Sequence, residues 1–524
     1  MRVYHYGFFF YVSNFILQLT DFFETLWDET DDQIRYELWN ELLTLIRDYK
    51  YGRREKRSIS GKLLRRIEEI AAAVKPKESI NTSRRLFQRE QYRVMDPGDY
   101  QASKERLHRE QLKALSGLYG EGGIERILEL IQATEDTGII GSALAGVKLS
   151  GDDVRTVLLL LDSADEKLCG AAKYYCWASY LSGGDKWLEQ IGFISYPAEL
   201  QLAILCAVPI SGAILAQVSV MPESFRSDYW KQVSDRFDQS AATNDTVKSL
   251  LAAGRPAYAL EMLSYMVNNA KNTELGLVYS VLNAITELPS QLSGCYVAAV
   301  FNWLHNNETD IEKLSLYEWK YYDVLKNDRK ARSIEYQLSV SPEYLMFLLS
   351  MAYKSTIEGA LADKWKMPGL TDKMISRAFA ILKNWQWAPG VQRDGTFDSD
   401  KLNGWFRKVK ELSAECGRYD IAMTKVGQVL YYTPAAADGF FIQDAAAQIL
   451  DLKESGKMRS GYNAEVFNSQ GARFVDTFGD EERIEAEKWS SRAQQAETRG
   501  YVRFAGTLRD IAREWLAEIE YFRD

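Results

Sequence analysis

Residues able to do acid–base, nucleophilic or metal chemistry occur along this chain, but never at the spacing such chemistry needs. The three histidines, His5, His108 and His305, stand far apart, and no pair falls at metal-ligand spacing. No HExxH or CxxC pattern occurs, and no GxSxG elbow that would raise a serine nucleophile at a strand–helix turn. Gly61-Lys62 and Gly456-Lys457 lack the upstream glycine and the following hydroxyl of a phosphate-binding loop. Gly120-Glu121-Gly122-Gly123 has no third glycine in dinucleotide register and no strand before it, so it is read as a helix C-cap. Acidic residues at Asp476, Asp480, Glu481 and Glu482 gather where a helix would begin, and are expected to serve its dipole. No catalytic, cofactor-binding or metal-binding residue is assigned.

Two groups of residues remain as candidates for recognition. From Lys50 to Arg93 there are 14 Lys or Arg against 5 Glu, an island of +9 that leaves the remaining chain at -18. Within it, Arg53, Arg54, Lys56, Arg57, Arg65 and Arg66 could grip a phosphate backbone or an acidic partner. The plainer reading is a solvated helix face, partly neutralised by Glu68 and Glu69. The second group is aromatic: Trp385, Trp387, Trp405, Phe406, Tyr431, Tyr432, Phe440 and Phe441. Most fall at helical spacings and are expected in the core. Trp387 and Arg393, in the connector WAPGVQRDGTFD, are the expected exposed recognition residues, because rigid scaffolds display function on loops.

Helices must position all of these. The chain has 524 residues, 46% hydrophobic and 26% charged, with only 11 prolines. That composition suits a folded chain of long helices. Ile34, Leu38, Leu42, Leu45 and Ile46 recur at helical spacing over 31–49. Val502, Ala505, Leu508, Ile511, Ala512, Trp515 and Ile519 do so at the C-terminal end. Short breaks at 75–79, 95–99, 120–123, 182–185 and 389–395 separate over twenty such helices. The expected fold class is therefore all-α: an α-solenoid of antiparallel helical hairpins with irregular repeats. Gly254–Ala259, Gly417–Ala422 and Gly500–Ala505 echo one another, each placing Gly five residues before Ala. They resemble the mid-repeat junction of tetratricopeptide units, although no 34-residue period connects them.

Three regions are expected: 1–100, with an aromatic first helix and the basic segment; 101–370, of helical repeats; and 371–524, tetratricopeptide-like. The aromatic run Gly7–Leu19, GFFFYVSNFILQL, is about 13 residues and too short to cross a bilayer. It is expected to be a buried or partner-facing helix rather than a leader or anchor. The cysteines Cys169, Cys176, Cys206, Cys295 and Cys416 are odd in number and widely spaced. They are expected as buried free thiols, which points to the cytoplasm. The net charge of -9 argues against a general nucleic-acid coat.

From residue 250 onward a resemblance adds to this reading. LLAAGRPAYALEML (250–263), LYEWKYYDVL (316–325), SPEYLMFLLSMAYK (341–354), WAPGVQRDGTFDSDKLNGWF (387–406) and GYNAEVFNSQGARFVDTFGDEERIEAEKW (461–489) carry it. Together they resemble the helical-repeat C-terminal regions, TPR- or HEAT-like, of large bacterial multidomain proteins similar to STAND-class antiviral defence sensors. The resemblance implies a non-enzymatic sensor, adaptor or scaffold. It would bind an NTPase or effector subunit, or a phage protein. Unlike that class, this sequence contains no nucleotide-binding motif. Two alternatives stand beside it: a nucleic-acid-binding accessory protein using 50–93, and an enzyme with an unfamiliar site.

Overall fold

A computed structural model describes residues 31–50, 61–89, 100–285, 293–358, 368–471 and 479–521. The run Gly7–Leu19 lies outside them, as do Arg53, Arg54, Lys56 and Arg57. The described residues are all-α, with 25 α-helices, three short 3-10 turns and no strand beyond two isolated bridges. Two compact units divide the chain between Tyr258 and Ala259. No helix among the described residues is long and apolar enough to cross a membrane.

In the first unit the helix Asp32–Lys50 packs on Gly61–Ala73, where Leu42, Leu45 and Ile46 meet Leu64, Ile67 and Ala71. Ile34, counted in the same apolar stripe, instead points to solvent, 55% exposed. The Gly120–Gly123 break is a kink inside Tyr100–Ala133, carried by Gly122 (φ -162°) and Gly123 (φ 67°). Further along come Thr137–Leu144, Gly151–Leu159, Glu166–Gly183 and Ala198–Ala207, then three more helices ending with Asn244–Ala252. Side-chain caps start many of them. Ser150 accepts from the Asp153 N–H, Ser211 from Ile214 and Thr243 from Thr246. Each occupies an otherwise orphaned donor of a first turn.

From residue 322 onward the second unit packs around a large apolar core, from Ile334 and Leu349 through Trp405 and Val426 to Trp489 and Trp515. Of the C-terminal stripe, Ala505, Leu508, Ile511, Ala512 and Trp515 are buried, whereas Val502 is 57% exposed. The helices Tyr419–Leu430 and Gly456–Asn468 cross where each has a glycine. A Cβ on Gly427 would run into the Met458 carbonyl, and one on Gly461 into that of Thr424. Only glycine permits backbones to approach this closely.

The three Gly–Ala echoes share one hydrogen-bond pattern. Gly254, Gly417 and Gly500 all have positive φ, at 74°, 66° and 88°. In each case the glycine N–H donates three residues back, to Leu251, Ala414 or Glu497. The next N–H donates five back, to Leu250, Ser413 or Ala496. This is the Schellman ending of a helix, in which a left-handed residue satisfies carbonyls that would otherwise be orphaned. The alanine five residues on, Ala259, Ala422 or Ala505, is fully buried in each case.

The thiols are all free. Cys176 and Cys416 are buried and Cys169 and Cys206 half-buried. The expectation of uniform burial fails at Cys295, which is exposed in the first turn of Gly294–Asn307.

Candidate recognition site

The connector 385–398 follows the helix Asp372–Asn384 and leads into Ser399–Glu415. It folds on itself: Gln392 N–H donates to the Thr396 carbonyl at 2.8 Å, and Asp398 N–H to that of Gly390 at 2.9 Å. Asp394 accepts from both the N–H and the hydroxyl of Thr396. Such local closure gives the connector a defined shape, which longer-range contacts then anchor to the unit.

The structure places Trp387 and Arg393 within this fold, where both are engaged. The half-buried Trp387 indole donates to the Val391 carbonyl at 3.0 Å, and its ring meets Tyr336 and His305 edge-on at 5.3 and 6.4 Å. Arg393 donates to the carbonyls of Glu308, at 3.1 Å, and of His305, at the end of Gly294–Asn307. A cation there completes carbonyls that the helix leaves unpaired and complements its dipole. Trp385, Trp405, Phe406 and Phe440 are buried, as their spacing suggested, while Tyr431 and Phe441 are partly so.

Beneath the connector lies a set of buried charges that sequence reasoning missed. Glu318, on Ile311–Leu325, has no exposed surface. Its Oε2 accepts from the Ser333 and Ile334 N–H groups at 2.8 and 3.0 Å, capping the helix Arg332–Val340. Its Oε1 lies 2.9 Å from Arg329 Nη2, whose side chain is 6% exposed. Nε and Nη1 of that guanidinium are buried without an acceptor, with the Phe301 ring 5.9 Å away. Burial pushes the Glu318 carboxyl up, while Arg329 and the two N–H groups pull it down.

Glu335, in the first turn of Arg332–Val340, accepts from Gln386 N–H at 3.0 Å and so holds the start of the connector. Burial pushes its carboxyl up to about 6. The Gln386 amide extends the network, accepting from Lys330 and donating to Tyr432 at 3.0 Å; Tyr432 donates to buried Glu465 at 2.7 Å. Ser339 Oγ joins the Trp385 indole N–H to the Trp387 carbonyl. His305 is held well below its ordinary range, to about 4, first by burial and then by Arg393, Arg329 and Arg332.

A cleft of about 420 Å³ opens beside this network, lined among others by Lys326, Arg329, Lys330, Glu335, Asn384 and Gln386. Its walls offer cations and amides beside the carboxyls of Asp328 and buried Glu335. That suits binding of a polar surface. Among the described residues no group of three or more His, Cys, Asp or Glu is placed to hold a metal ion.

In the first unit, Arg65 lies exposed on Gly61–Ala73 with its Nε 3.4 Å from the Gly61 carbonyl. Arg66 pairs with Glu69 at 3.0 Å, and Lys50 with Glu68 at 2.7 Å. Glu68 and Glu69 thus partly neutralise this helix face. One signal for the missed network was present in sequence: Glu318 interrupts an apolar helical stripe of Leu314, Tyr321 and Leu325. A carboxylate there must be paired or it would not be buried.

Comparison of the chain with families of known proteins, with curated proteins and with solved structures finds no match.

Proposed function

We propose that this chain is a non-enzymatic helical-repeat protein that binds protein partners, its helices stacking as hairpins into an irregular α-solenoid. The single observation that carries the reading is the shared junction at Gly254, Gly417 and Gly500. Three helix endings with one hydrogen-bond pattern, each followed by a buried alanine, support a degenerate repeat. Stacked pairs of this kind create a large shaped surface without any reactive residue. The connector 385–398 and its adjoining cleft are the assigned docking point, because a rigid polar network fixes them on a helical scaffold. A sensor or adaptor role in bacterial antiphage defence is the context that the sequence resemblance supports. There the partner would be an NTPase, an effector subunit or a phage protein.

Small-angle scattering tests the architecture. A solenoid gives a skewed distance distribution with a long tail, and a symmetric single-peaked distribution would count against it. Affinity capture with the tagged chain tests the docking point. Lys326→Glu, on the cleft rim, should release a specifically bound protein while leaving the circular dichroism spectrum unchanged.

A further inference from the structure

The first unit carries a second surface built for recognition. On the helix Glu166–Gly183, Tyr174, Trp177 and Leu181 fall at i, i+3 and i+7 and so share one face. Tyr174 is 36% exposed, Leu181 60%, and Trp177 half-buried. The two aromatic rings stand edge to face, 6.1 Å apart at 79°, forming a corner. Arg236 lies in that corner, its guanidinium carbon 4.5 Å from the Tyr174 centroid and 4.6 Å from that of Trp177.

The corner is rigid on both sides. Gly138 leaves room for the Tyr174 ring, which a Cβ there would strike at 2.8 Å. The Arg236 carbonyl accepts from Ile210 N–H at 2.8 Å, and Asp238 N–H donates to the Ile210 carbonyl at 2.8 Å, so its backbone is pinned. Yet no acceptor among the described residues takes a hydrogen bond from the guanidinium. Seated against both rings, the guanidinium is already ordered, so a carboxylate costs it little further entropy. A cleft of about 340 Å³ adjoins the Tyr174 ring, with Lys104, His108, Gln111 and Asp136 also on its walls.

We infer that this face docks an acidic amphipathic segment of a partner protein, its apolar side chains on Tyr174, Trp177 and Leu181 and a carboxylate on Arg236. Trp, Tyr and Arg are the residues that most often anchor protein interfaces. A phosphate backbone would instead need several cations along its path, and an exposed leucine gives it nothing. The inference rests on the protein-binding reading above but uses a different surface, so the two fail separately. Lys326→Glu should leave the titration below unchanged.

Fluorescence polarisation on the full chain tests it. The probe is a labelled 16-residue helical peptide with leucine along one face and glutamate flanking it. The same peptide with lysine for glutamate, and an oligothymidylate of equal charge, serve as comparators. The glutamate peptide should bind saturably, more weakly as salt rises. Arg236→Ala and Leu181→Asp should each weaken it tenfold or more, with unchanged thermal melting. No saturable binding of the glutamate peptide would overturn the inference. So would unaltered affinity in both folded variants, or preference for the lysine peptide or the oligonucleotide.

Discussion

Glu335 and His305 set opposite responses to acid within one network. The Glu335 carboxyl sits at about 6 in the fold against an ordinary 4.5. Between those values the folded chain holds a proton that the unfolded chain has released, so stability falls as pH rises, by about 2 kcal/mol. His305 sits at about 4 against an ordinary 6.5. There the unfolded chain takes up the proton first, and stability falls as pH drops from 6.5 towards 4. From pH 4.5 to 6 the two effects oppose each other. Glu335→Gln should therefore stabilise the chain by about 2 kcal/mol at pH 7.5 and make its acid sensitivity below pH 6.5 steeper, read from melting temperature across pH. A melting profile parallel to that of the native chain would refute the assignment. None of this was legible in the sequence. Glu335 falls in an unremarkable helix, and its environment comes from the connector 50 residues further on. Trp387 and Arg393 were singled out by residue type and loop context, but the contacts that tie them into the fold, to Val391 and to the His305 and Glu308 carbonyls, were not legible.

Helices and their endings were the most legible feature, because apolar period and glycine punctuation act locally. The three Gly–Ala junctions show this, and a fourth ending shows its limit. After Pro256–Asn268 the chain repeats the Schellman pattern, with Lys271 N–H donating to Met266, but the left-handed residue is Ala270 at φ 51°. With no glycine to mark it, nothing in the sequence reveals that turn. Ala270→Gly should relieve the crowding of its Cβ and gain about 1 kcal/mol in denaturant unfolding. Gly500→Ala should lose about as much at the matching position. Replacement at the helix crossing is harsher, because Gly427 faces a carbonyl rather than a mobile side chain. Gly427→Ala should cost about 3 kcal/mol, the upper range for overpacking a core. A loss below 0.5 kcal/mol would mean that the two helices do not meet as described.

Charge acts at the level of the whole molecule. The chain carries -9 overall, with +9 concentrated at 50–93 and -18 over the rest, a balance unfavourable to a general nucleic-acid coat. On the protein-binding reading, filter binding to DNA or RNA should be negligible at physiological salt. It should also be insensitive to charge reversal at Arg65 and Arg66. Tight binding that falls steeply with salt and vanishes on reversal at Arg53, Arg54, Lys56 and Arg57 would favour the nucleic-acid alternative. The all-α class was readable because many short apolar stripes agree with one another; the buried network was not, because Glu335, Gln386, Tyr432 and Glu465 meet from positions far apart in the chain.

Quantitative affinity capture of the tagged chain from phage-infected and uninfected bacterial cells tests the central claim most directly. The native chain should enrich a defined protein, and Lys326→Glu, folded to the same melting temperature, should lose it. Equal recovery by both chains, or enrichment of nucleic acid alone, would contradict it.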